Sequence, residues 1–126
     1  KRINAPELKH LFDSDKKSVL LDVREPHEVA YAKIDPHVHI PMGTIPLRHE
    51  ELDKDTPIVV MCHTGVRSAA VCKFLEPLGY ATTNLEGGID AWSQLVDQSV
   101  QGLALKASRF GKNHISFTEF IDILSN

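Results

Sequence analysis

A chain of 126 residues with 42% apolar and 25% charged residues has the size and balance of one globular domain, which excludes a disordered or fibrous chain. A formal net charge of −3 leaves no basic excess for general nucleic-acid binding, and no apolar run approaches the roughly 18 residues of a membrane span. Two cysteines, Cys62 and Cys72, are too few for a disulfide framework and fit a cytoplasmic protein with one working thiol. No signal-like start is visible, although Lys1 in place of Met suggests a trimmed chain and leaves a removed targeting segment open.

Residues 1–12 carry a helix start: Asn4 can cap, Pro6 suits the first turn, and Leu8, Leu11 and Phe12 share a face. Residues 18–23 form a short apolar run suited to a strand buried on both faces. Pro26 opens a short helix over 26–32. Residues 38–40 read as a strand closed by Pro41, and 45–52 as a short helix with Leu47 and Leu52 inward. The strand at 57–61 delivers Cys62 at its carboxyl end. A loop over 63–66 then enters a helix at 67–78 that offers Ala70, Val71, Phe74, Leu75 and Leu78 to the core, with Gly79 as its cap. A strand at 81–85 and a helix at 89–96 containing Trp92 follow, joined through Gly87 and Gly88. Alternation of strands and helices over 3–97 predicts an α/β fold: an open, doubly wound parallel sheet with helices on both faces. Sites in such sheets lie at the carboxyl ends of strands, where Cys62 falls.

The loop Cys62-His63-Thr64-Gly65-Val66-Arg67-Ser68 suits covalent chemistry on small sulfur anions. A thiolate there lies above a helix amino terminus, where unpaired N–H groups and the helix dipole favour negative charge. Gly65 lets successive N–H groups turn inward as an anion nest. Both effects lower a thiol pKa, and the thiolate is the nucleophile. Arg67 supplies positive charge for an anionic donor or pairs with an acid to hold the loop. Ser68 can cap the helix or donate to the bound anion. A buried structural cysteine is the competing reading for Cys62, and Gly65 and Arg67 at these offsets weigh against it. Cys72, among Ala69, Ala70, Val71 and Phe74, reads as core rather than as a resolving thiol.

Three ordered stretches resemble the rhodanese family: Leu20-Leu21-Asp22-Val23-Arg24-Glu25-Pro26-His27-Glu28, then Cys62 to Ser68, then Asn84-Leu85-Glu86-Gly87-Gly88-Ile89-Asp90-Ala91-Trp92. The resemblance covers residue 3 to about residue 97. It implies a rhodanese-like domain over 1–97, Cys62 as the persulfide-forming nucleophile, and backbone amides of His63, Thr64, Gly65, Val66, Arg67 and Ser68 as the sulfur cradle. Asp22 and Arg24 are implied to organise the site by ion pairing, with a structural salt bridge an equal reading. The implied activity is transfer of a sulfane sulfur from a donor such as thiosulfate to a thiol or cyanide acceptor, with a sulfur-carrier protein as a further partner and no cofactor. The alternatives are a non-catalytic binding module and a phosphatase or arsenate reductase relative. Four residues separate Cys62 from Arg67, against five in the phosphatase relatives, and the shorter loop suits a single sulfur atom.

His37 and His39 are two apart and could face one side of a strand, but no third ligand has recognisable spacing, so no metal site is expected. His63, inside the loop, tunes Cys62 or touches the donor, with a solvent-facing side chain an equal reading. Residues 98–126 fall outside the resemblance and read as a helical C-terminal extension. Ser116-Phe117-Thr118-Glu119 has the form of a capping box, and Phe117, Phe120, Ile121 and Leu124 form an apolar stripe. Its likeness to half an EF-hand fails because Phe110 and Lys112 would occupy ligand positions. The stripe predicts packing on its own domain or on a second copy, so the chain is a monomer or a homodimer.

Overall fold

The computed structural model describes residues 1–97 and 99–100. The predicted extension, with its capping box and apolar stripe, lies outside the described residues. Five short strands, β1 (Arg2–Ile3), β2 (Val19–Asp22), β3 (Val38–His39), β4 (Ile58–Met61) and β5 (Thr82–Leu85), form one sheet in the order β1-β5-β4-β2-β3. Every pairing is parallel. Helices α1 (Ala5–Phe12), α2 (Pro26–Tyr31), α3 (Ile45–Arg48) and α4 (Val66–Leu75) lie in the connections between successive strands, and α5 (Gly88–Leu95) follows β5.

Strand periodicity explains where the cysteine points. Along β4, Ile58 and Val60 enter the apolar cluster that contains Val71, Cys72 and Leu75 of α4. Val59 and Met61 enter the opposite cluster, with Leu8 of α1 and Ile89 and Trp92 of α5. Successive side chains alternate between faces, so Cys62 continues the Ile58–Val60 side and comes under α4. All four residues of β4 are buried, which accounts for its unbroken apolar sequence. Each of these side chains, fully removed from water, contributes on the order of 1.5–3 kcal/mol.

Local signals behave as their chemistry requires in α1. Asn4 Oδ1 accepts from the Glu7 N–H at 2.8 Å while Glu7 Oε1 accepts from the Asn4 N–H at 2.9 Å, a reciprocal cap. The edge strand β1 ahead of it was not expected; two residues carry too little periodicity to read.

Two expectations fail. The helix expected over 45–52 stops at Arg48 and continues as a 3-10 turn over His49–Glu51, so Leu52 is buried but Leu47 is 87% exposed. The helix expected over 67–78 runs from Val66 to Leu75 and closes in a 3-10 turn over Glu76–Leu78, capped by Gly79. Its buried stripe is Ser68, Val71, Cys72 and Leu75, spaced three and four apart, which leaves Ala70, Phe74 and Leu78 exposed. His37 and His39 do not form a pair: His37 Nδ1 lies 3.1 Å from both Ile34 O and Asp35 Oδ1, whereas His39 Nε2 lies 2.7 Å from Arg24 O.

Candidate active site

Cys62 follows β4 directly, and its side chain sits at the floor of the loop leading into α4, 1% exposed. Its Sγ accepts the Gly65 N–H at 3.1 Å and the Ser68 N–H at 3.4 Å, and lies 3.3 Å from Ser68 Oγ. Burial is the largest single influence on this thiol and pushes its pKa up. Hydrogen bonds from the Ser68 hydroxyl and the amides of Ser68, Gly65 and Thr64 together outweigh it, leaving the pKa below the ordinary cysteine value.

Two glycines make this loop possible. Gly65 caps α4 at φ +105°, a left-handed conformation, and its own N–H and that of Ser68 reach the sulfur. Gly88 stands at the start of α5, where an added Cβ would lie 2.3 Å from Cys62 O and 2.4 Å from His63 O. That close approach lets the Ile89 and Asp90 N–H groups donate to Cys62 O at 3.0 Å and His63 O at 3.1 Å. The carbonyl side of the loop is therefore pinned to the amino end of α5 while its amides serve the sulfur.

Ser68 does not cap α4; it is the third residue of that helix and fully buried. Its hydroxyl donates to Asn84 Oδ1, and Asn84 Nδ2 donates to Gly65 O at 3.1 Å. One hydroxyl holds one proton. While that proton serves Asn84, a Cys62 thiol can donate to Ser68 Oγ; a thiolate draws the proton to itself instead. Asn84, at the carboxyl end of β5, therefore belongs to the sulfur site.

Arg67 pairs with Glu28 of α2, its two terminal nitrogens 2.7 and 2.8 Å from the two carboxylate oxygens. Hydrogen bonding from Arg67 is the chief reason the Glu28 pKa falls to about 2; burial works against it. The Arg67 guanidinium is stabilised in its charged form first by Glu28, against the effect of burial, and also by a Cys62 thiolate. Arg67 thus serves the loop and α2 together. Asp22 and Arg24 form a separate pair, Nη2 to Oδ2 at 2.7 Å, with side chains only 0% and 4% exposed. Arg24 Nη2 also donates to Ala32 O at 2.7 Å, fastening the end of β2 to the end of α2. This pair has no open face for a substrate and positions the helix that carries Glu28.

At the rim, Thr64 is exposed and Val66 is 75% exposed. His63 is half-buried, with Nε2 3.9 Å from Asp90 Oδ1, an atom with no hydrogen-bond partner among the described residues. The sequence reading did not single out Glu28, Asn84, Gly88 or Asp90 as site residues. All four lie in the stretches that carry the family resemblance, and that membership was the signal available.

The family model for the rhodanese-like domain matches residues 4–95. The chain is 47% identical over 92 residues to the putative sulfurtransferase YtwF of Bacillus subtilis strain 168, covering 73% of this chain and 89% of that protein. It is 36% identical over 93 residues to a sulfurtransferase of Allochromatium vinosum, covering 73% and 87%. The rhodanese-like domain protein of Staphylococcus aureus superposes with a TM-score of 0.71 at 38% identity, over 73% of this chain and 90% of that one. A parallel sheet in this order and a family match across nearly all described residues lead to one conclusion: the chain belongs to the rhodanese family.

Proposed function

We propose that the protein is a sulfurtransferase that carries sulfane sulfur as a persulfide on Cys62. The observation supporting this most strongly is the convergence of the Gly65 and Ser68 N–H groups on Cys62 Sγ. These donors favour the thiolate needed for attack and can hold the charge of the persulfide that follows. Relatives named as sulfurtransferases support the same reading.

In the first half-reaction the Cys62 thiolate attacks the outer sulfur of a donor. With thiosulfate, a bond forms between Sγ and that sulfur, the donor S–S bond breaks, and sulfite leaves with the electron pair. In the second half-reaction an acceptor thiolate or cyanide attacks the outer sulfur of the persulfide and regenerates the Cys62 thiolate. Cyanide leaves as thiocyanate. Charge and electrons balance in each step, so neither half needs an external oxidant. Because Cys62 is 1% exposed, a donor must deliver its sulfur down into the loop, which favours a donor whose terminal sulfur projects freely.

Intact mass of the reduced protein before and after exposure to a sulfur donor tests the proposal. The expected result is a gain of one sulfur atom that cyanide removes and Cys62→Ala abolishes. A protein that never gains sulfur from thiosulfate or from a small persulfide would sink it.

A further inference from the structure

Arg67 is the loop residue that carries a permanent positive charge, and it is already committed. Both of its terminal nitrogens meet Glu28 at 2.7 and 2.8 Å, and Glu28 Oε1 also accepts the Glu25 N–H at 3.0 Å. That second bond ties the carboxylate to the first turn of α2, so it is not a freely moving surface group. The remaining ionisable groups shown on or against the loop, among the described residues, are His63 and Asp90, 3.9 Å apart. The Asp22–Arg24 pair adds no net charge, and its arginine lies on the Glu28 side, Nη1 donating to Glu28 O at 3.4 Å. With Cys62 as thiolate, Arg67 positive and both carboxylates ionised, the sum is negative whether or not His63 is protonated.

A dianion and a monoanion do not meet this site equally. Coulomb repulsion scales with donor charge, so a fixed carboxylate behind Arg67 acts twice as strongly on thiosulfate as on a singly charged persulfide. A protonated persulfide feels it least. We propose that Glu28 is a specificity-determining residue: by neutralising Arg67 it sets the site against thiosulfate and in favour of persulfide donors of low charge. This rests on Cys62 being the sulfur-carrying residue. With such a donor, the Cys62 thiolate attacks the terminal sulfur of R–S–SH and forms the new S–S bond. The old S–S bond breaks, RS⁻ leaves with its electron pair, and the proton stays on the transferred sulfur.

The test is single-turnover loading of Cys62, followed by quenched intact mass, with thiosulfate and with cysteine persulfide as donors. Glu28→Gln keeps the shape and removes the charge; Glu28→Asp keeps the charge. The ratio of thiosulfate to persulfide loading constants is expected to rise roughly fivefold to tenfold in Glu28→Gln. The rise should fall on the half-saturating thiosulfate concentration, and Glu28→Asp should keep the wild-type ratio. Added salt should raise the same ratio more in the wild type than in Glu28→Gln, because the carboxylate is one of the charges it screens. An unchanged ratio in Glu28→Gln, with both donors loading the wild type, overturns the role of Glu28 whatever salt does, and leaves the persulfide reading standing. Failure of both donors to load wild-type Cys62 overturns the persulfide reading and this one with it.

Discussion

Cys62 and Cys72 are both free thiols and both buried, and they share one apolar cluster beneath α4. Cys72 is the more exposed of the two, 9% against 1%, yet its pKa is pushed up by burial while that of Cys62 falls. Exposure therefore does not decide the direction in which each thiol is shifted. Donor geometry does: Cys62 lies before the first turn of α4, where N–H groups are unpaired, and Cys72 lies within the helix, where they are already bonded. Ten residues along the same chain, the direction of the thiol's pKa shift reverses.

Exchanging the cysteines for alanine should break this comparison most sharply. Cys62→Ala should lower sulfur loading by at least about a thousandfold, whereas Cys72→Ala should leave loading intact and cost about 1–2 kcal/mol of stability. Comparable loss in both variants, measured by loading rate and by denaturant midpoint, would contradict the separation. Gly88→Ala tests whether the pinned loop carbonyls matter. Its Cβ would meet Cys62 O at 2.3 Å, so the loop must shift; loading should fall about a hundredfold, with a stability loss of about 2–3 kcal/mol.

Ser68→Ala should sharpen the comparison by making Cys62 more like Cys72. With the hydroxyl gone, the pH at which thiolate reactivity rises should move upward, lowering loading at neutral pH roughly tenfold. Asn84→Ala should act in the opposite sense on that midpoint, because it frees the Ser68 proton for sulfur, while loosening Gly65. Iodoacetamide rates against pH distinguish the two. The smallest effect concerns acid stability. Glu28 has its folded pKa depressed from 4.5 to about 2, so its contribution is complete above the unfolded value and is lost as pH falls through about 2. Solvent screening of this half-exposed pair limits that contribution to about 1 kcal/mol. Wild type and Glu28→Gln should differ in melting temperature at pH 6 and converge toward pH 2.

The placement of Cys62 between β4 and the start of α4 was legible because it is local: strand, cysteine, glycine and helix start follow one another within a few residues. The Asn4 cap was legible for the same reason. What could not be read were partners brought together by the sheet. Glu28 reaches Arg67 from 39 residues away and Asn84 reaches Ser68 from 16, and neither spacing carries a period. Leu47 and Phe74 were misplaced because short helices leave few turns to fix a buried face; the stripe at Ser68, Val71, Cys72 and Leu75 was decided by where α4 meets the sheet.

The most direct test of the activated thiolate is the rate of alkylation of each cysteine as a function of pH, read by peptide mass on the folded protein. The expected result is a Cys62 rate that rises with a midpoint below that of a free cysteine, with Cys72 unreacted until the protein unfolds. A Cys62 midpoint at or above the free value, or Cys72 reacting alongside it, would contradict the account.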